Sequence, residues 1–165
     1  MTKRKVIVIS LLYFLGLVIV VIIVHEIGHI VAALFIGVPF NEIEIGLYGI
    51  NPSVTLPERF ASGNLAIYHY AGGLTAAGIL IVIYLLYWHR RFKREPSVIN
   101  WTMGAITIVI AGMQLAQGYI EGRLHVAYIY YSGTPLNPLQ IVCLPLIIAS
   151  VLIHFVIFPR SRIQR

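Results

Sequence analysis

The sequence predicts an all-α membrane protein of about four transmembrane helices, with a short extended segment after the first helix. Three observations carry that expectation. The chain of 165 residues is 59% hydrophobic and only 11% charged, with a mean hydropathy of +0.87, whereas soluble domains hold about 25% charged residues. Its apolar residues gather into four runs, each at least as long as the ~20 residues that cross a bilayer core. Its basic residues gather at the ends of those runs. Ten of the twelve Lys and Arg lie in Lys3-Arg4-Lys5, Arg90-Arg91-Phe92-Lys93-Arg94 and the group Arg160, Arg162, Arg165.

Taken in order, the first span covers about 5–36, long enough to tilt or protrude. Its basic start resembles a secretory leader, but the apolar run is too long for one, so an uncleaved span is expected. In the segment 37–64, Phe40-Asn41-Glu42-Ile43-Glu44-Ile45 alternates apolar and polar side chains, the period of a strand, with Gly46, Gly49 and Pro52 interrupting it. The second span covers about 65–88 and opens on the small-residue stretch Ala71-Gly72-Gly73-Leu74-Thr75-Ala76-Ala77-Gly78, which suits close helix packing. The third covers about 98–120 and the fourth about 139–158. Cys143, the lone cysteine, excludes an intrachain disulfide and a cysteine-based metal site.

Length fits a single membrane-embedded domain, 1–165. Basic clusters that flank apolar spans are topology determinants and lipid-headgroup contacts, so the net charge of +6 does not imply a nucleic-acid partner. Placing all three clusters on the cytoplasmic side requires an even number of spans. The expectation is a multi-pass protein of the cell membrane with cytoplasmic termini and outward-facing segments at 37–64 and 121–138.

Within the first apolar run stands His25-Glu26-Ile27-Gly28-His29. On a helix, residues four apart share a face, so His25 and His29 can grip one Zn²⁺ while Glu26 acts on water as general base. The pattern H-E-x-x-H arises by chance in about one in a hundred chains of this composition, and ionisable groups inside a span mark function by default. A further ligand is needed. Aspartate is absent, all six acids being glutamates. Glu121 is the leading candidate, because it continues the stripe Gln114, Gln117, Glu121, His125 along the third helix. His125 and His69 are the rival ligands, and with Gln117 they are also candidates for supporting the ligands. From the basic ends, His25, His69 and Glu121 lie about 28, 30 and 34 Å along their spans, at one level of the bundle. His89 reads as a headgroup contact and His154 as a hydrogen-bonded histidine within the fourth span.

These residues resemble the site-2 protease family of intramembrane zinc metallopeptidases. The resemblance covers His25-Glu26-Ile27-Gly28-His29-Ile30-Val31-Ala32-Ala33, Gly37-Val38-Pro39 and the extended segment Phe40–Leu47. Ala71-Gly72-Gly73-Leu74 is similar to an Ala-Gly-Pro-Leu element, with Gly73 in place of proline. Glu121-Gly122 is similar to the Asp-Gly pair that supplies the third zinc ligand, with glutamate in place of aspartate. An Asn-x-x-Pro element is missing, with Gln114 and Gln117 as the nearest polar substitutes. The resemblance implies zinc held by His25, His29 and Glu121, and hydrolysis of a peptide bond in or beside a substrate's transmembrane segment. It further implies that the edge Phe40, Glu42, Ile43, Glu44, Ile45 holds the unwound substrate as an added strand. The substrate is then a membrane protein or peptide within the lipid bilayer.

Two other function classes fit the composition. A non-hydrolytic metal-binding scaffold or sensor would have no need of a base at Glu26. A metal transporter would line a path across the bilayer, whereas the polar residues here gather at one level.

Overall fold

The computed structural model describes residues 3–48, 51–61, 65–124 and 138–157. It is mostly helical, with one two-stranded sheet. Helix α1 runs Lys3–Phe35 without interruption, as expected of an apolar chain that must satisfy its own backbone groups in lipid. Gly37 ends it. Its φ of +91° lets Gly37 N–H bond Leu34 O at 3.1 Å and Val38 N–H bond Ala33 O at 3.0 Å, a glycine C-cap whose left-handed backbone disfavours any other residue. Val38 then packs inward, almost fully buried.

The extended segment begins later than the alternation at Phe40–Ile45 predicts. Pro39 places Phe40–Glu42 in a single 3-10 turn, closed by Glu42 N–H to Pro39 O at 2.9 Å and Ile43 N–H to Phe40 O at 3.2 Å. Glu42 pairs with Arg59 of the short helix α2, Glu58–Ala61. Strand β1 is Glu44–Tyr48 and strand β2 is Asn51–Thr55, antiparallel with Ile45 opposite Val54 and Leu47 opposite Pro52. Gly46 and Pro52 therefore lie within the hairpin and do not break it. Proline has no N–H for the ladder, so Pro52 must face its nitrogen away from β1. Alternation by two then turns the N–H and C=O of Val54 to that same outer edge.

Helix α3, Ala66–Ile83, continues through a π turn at Tyr84–Trp88 into α4, His89–Arg94. Helix α5 is Val98–Leu124, so Glu121 stands inside it, where the third span was expected to end near 120. Helix α6 is Pro138–Ile157, apolar over Pro145–His154. Among the described residues, three helices, Lys3–Phe35, Ala66–Arg94 and Val98–Arg123, are long and apolar enough to cross a membrane. The turn between α4 and α5 is tied by Asn100, which donates to Glu95 O at 2.9 Å and accepts from Arg91 Nε at 3.2 Å.

Helix α3 is the centre of the bundle, packed between α1 and α5, and α6 rests on α5. A Cβ on Gly73 would run into the main chain of Gly118 and Gln114, so the small residues of α3 bring two backbones into contact. One core lies among α1, α3 and α5 around Val21, Ala76, Leu80, Tyr84, Met103 and Ala111. A second lies under the hairpin, where Ala32, Ala33, Val38, Ile43, Val54 and Tyr68 meet. Large apolar side chains such as Leu12, Ile19, Val31, Leu74, Val82 and Val98 remain exposed on the bundle's outside, the surface that lipid would cover. The basic residues Arg160, Arg162 and Arg165, with residues 125–137, lie outside the described set, as does the side chain of Cys143.

Candidate metal centre

His25 and His29 lie one turn apart on the face of α1 that meets α3 and α5. His25 is 4% exposed and Glu121, on α5, is 9% exposed. The structure brings three of the residues singled out in the sequence together. His25 Nε2 and His29 Nε2 are 3.1 Å apart, and Glu121 Oε2 stands 3.2 Å from the first and 3.5 Å from the second.

Hydrogen bonds behind the triangle determine what these atoms are. The Glu121 carboxylate can only accept, so its Oε1 takes a hydrogen from Gln117 Nε2 at 3.0 Å. Gln117 must then present its carbonyl oxygen to Gln114 Nε2, at 3.1 Å. Gln114 in turn presents its oxygen to His25 Nδ1, at 2.8 Å. That oxygen requires a hydrogen on Nδ1, which in a neutral imidazole leaves Nε2 as a bare lone pair. His29 is set the same way, since its Nδ1 lies 2.8 Å from the main-chain carbonyl of Tyr68. With both imidazoles neutral, three lone pairs thus converge at one buried point around Glu121 Oε2.

Such an arrangement repels itself unless a cation joins it. The group can hold a metal ion. Its three spacings match the ~3.3 Å edge of a tetrahedron with bonds near 2.0 Å. Two imidazoles and a carboxylate, each oriented by an outer hydrogen bond, form a donor set suited to divalent transition metals, and three protein ligands leave a tetrahedral position open.

Gly72 of α3 makes room for this. A Cβ there would lie 2.5 Å from His25 Nε2 and also against His29 Nε2. The small residue is therefore required by the imidazole pair as well as by helix packing. Gly28 admits α3 from the other side, its missing Cβ leaving space for Ala71 O and Thr75 Oγ1.

Glu26 is half-buried on the neighbouring face of α1, within electrostatic reach of His25, His29 and Glu121. Its carboxylate faces the main chain of Val54 in β2. The strand at the site is thus β2. Among the residues expected to form a substrate edge, Phe40 and Glu42 lie in the 3-10 turn and Ile43 is buried in the core under the hairpin. Glu44 and Ile45 belong to β1, one strand spacing of about 4.8 Å beyond β2.

Gln117 donates to the carboxylate of Glu121. His69 lies outside the ligand group, with its ring edge-on to Tyr68 at 5.3 Å. His125 lies outside the described residues. His154 sits elsewhere, beside Tyr84 Oη and the Trp101 ring. Tyr68 was not singled out in the sequence. Its carbonyl orients His29, its ring lies 5.0 Å from the His29 ring, and its hydroxyl donates to Val54 O at 2.5 Å. No motif marks it, and only its place two residues into α3 brings it there. No family model, curated protein or solved structure matches this chain.

Proposed function

We propose that this protein is an intramembrane zinc metallopeptidase of the site-2 protease type, which hydrolyses a peptide bond in or next to the transmembrane segment of a substrate. The observation that carries the reading is the convergence of three bare acceptor atoms beside a fourth ionisable group, Glu26, that is not needed to hold the metal. A scaffold or sensor would use the first three and have no role for the fourth.

Zinc bound at His25, His29 and Glu121 would supply Lewis acidity, polarising the scissile carbonyl and making water acidic enough to ionise near neutral pH. The protein's part is then as follows. Gln114 and the Tyr68 carbonyl hold both imidazoles with Nε2 inward, and Gln117 fixes the carboxylate. Glu26 takes the proton from the attacking water and returns it to the leaving amine. Helices α1, α3 and α5 surround the site with apolar walls that limit water.

The reading places four spans in the cell membrane, with α6 as the fourth, and both termini on the cytoplasmic side with the basic clusters. The deciding experiment is zinc content per purified chain, combined with cleavage of a model transmembrane peptide in detergent. One zinc per chain in wild type and in Glu26→Gln is expected, with cleavage lowered about 10²–10⁴-fold in Glu26→Gln. Zinc bound at full stoichiometry without cleavage of any membrane peptide would instead favour the scaffold or sensor.

A further inference from the structure

Peptide hydrolysis at this centre needs Glu26 and a substrate main chain side by side, and the protein's own β2 backbone lies on that side of α1. Val54 is the residue of β2 whose N–H and C=O both turn away from the hairpin, as the Pro52 register requires. Both groups face α1 and α3. The main chain of Val54 lies toward the Glu26 carboxylate, and its C=O accepts from Tyr68 Oη at 2.5 Å. The Val54 side chain is buried under the hairpin with Ala33 and Val38. β2 therefore lies against α1 and α3 much as an extended peptide would, with the Val54 carbonyl bonded by Tyr68.

We infer that β2 is a built-in occupant of the substrate-strand position, latched by the Tyr68 hydroxyl, and that the hairpin must release Val54 before a substrate strand can lie beside Glu26. The inference rests on the proposed hydrolysis for its functional consequence, but the latch itself is a property of the fold. Opening breaks no ladder bond. The hairpin's own hydrogen bonds use the inner edge of β2, so β1 and β2 can lift together. The hinges are at hand: Gly37, with its positive φ, on one side and the segment after Thr55 on the other. Tyr68 is a positioning residue in this scheme, because its side chain holds the strand while its carbonyl independently holds His29.

Two substitutions separate these roles. Tyr68→Phe removes the hydroxyl and keeps both the ring and the carbonyl that orients His29. Val54→Pro removes the outward N–H of β2 on the Glu26 side, at an edge position of the same parity as Pro52, so the ladder survives. Full-length protein in detergent is followed by amide hydrogen exchange over 44–56, by zinc content and by cleavage of a transmembrane peptide. The expected result is about fivefold faster hairpin exchange in Tyr68→Phe, the equilibrium factor for one ordinary hydrogen bond. Zinc stays at the wild-type stoichiometry and cleavage rises by a similar factor in both variants. Unchanged hairpin exchange in Tyr68→Phe overturns the latch, and so does faster exchange accompanied by slower cleavage, which would make the closed hairpin part of the working site. Faster exchange with no cleavage in wild type or variants supports the latch and removes the hydrolytic reading instead.

Discussion

Two buried histidines in this bundle sit in opposite kinds of polar surroundings. His154, 1% exposed, belongs to a region of hydroxyl, indole and imidazole groups linked one to the next. Tyr84 Oη lies 3.1 Å from its Nδ1, Trp88 Nε1 donates to Tyr13 Oη at 3.0 Å, and Tyr13 Oη shares a 2.6 Å bond with Thr107 Oγ1. Thr107 also reaches Met103 O at 2.8 Å, and the Trp101 ring stands edge-on to the imidazole. His25 has a matched partner only behind it, at Gln114. In front, it faces His29 and Glu121, both of which present acceptors. Burial of a histidine within a span therefore does not by itself mark a site. What marks one is a set of acceptors held inward by donors used up elsewhere, because a metal ion or an added proton must join them to relieve it.

The comparison breaks most sharply where a ligand is removed from one region and the histidine from the other. Glu121→Ala is expected to abolish stoichiometric zinc, while His154→Ala keeps one zinc per chain and lowers the unfolding temperature, as losing the hydrogen bond to Tyr84 costs about 0.5–1.5 kcal/mol. Metal analysis and thermal unfolding in detergent read both. Zinc retained in Glu121→Ala would remove the third ligand and reopen the choice of His125 or His69.

A methyl group makes the next contrast. In Gly72→Ala the new Cβ falls between the two Nε2 atoms, and zinc is expected to be lost from a protein that still folds. In Gly104→Ala the Cβ meets His154 Cε1 at 3.2 Å and otherwise ordinary contacts at 3.7 Å, so zinc binding is expected to persist. Equal zinc content in the two variants would show that Gly72 serves packing alone.

Much of this was legible in the sequence. The apolar runs and their basic ends predict α1, α3 and α5, since a membrane span is set by length and hydropathy alone. The i, i+4 spacing predicts that His25 and His29 share a face. The stripe through Gln114, Gln117 and Glu121 predicts a common face on α5, and the rise per residue predicts a common depth. What was hidden depends on tertiary contact. The hairpin partner β2 contains a proline, which reads as a break until its nitrogen is seen to face the outer edge. Phe40–Glu42 alternates like a strand, yet Pro39 and the Arg59 pair hold it as a turn. Tyr68 acts partly through its carbonyl, which every residue possesses, so no pattern of side chains could select it.

The order of the amide relay provides a subtler contrast. Gln114→Leu leaves Glu121 in place but deprives His25 Nδ1–H of its acceptor, so the imidazole no longer has a reason to keep Nε2 bare and inward. Zinc affinity is expected to fall about 10–100-fold, the range for losing an outer hydrogen bond to a metal ligand, with stoichiometry restored at high zinc. Tyr84→Phe removes a comparable hydroxyl from His154 and is expected to leave zinc affinity unchanged. Competition against a chelator of known affinity measures both, and equal affinities in the two variants would mean that the relay orients nothing.

The smallest expected effect is also the one that defines the boundary of the site. His69 follows Tyr68 directly and was a rival ligand on sequence grounds, at nearly the same depth as His25. Successive helical residues point about 100° apart, so with Tyr68 turned into the site, His69 is directed around α3, its ring edge-on to Tyr68. His69→Ala is therefore expected to bind zinc with wild-type stoichiometry and affinity. A large loss of affinity would place His69 among the groups that hold the metal, and the three-ligand triangle would then be only part of the centre.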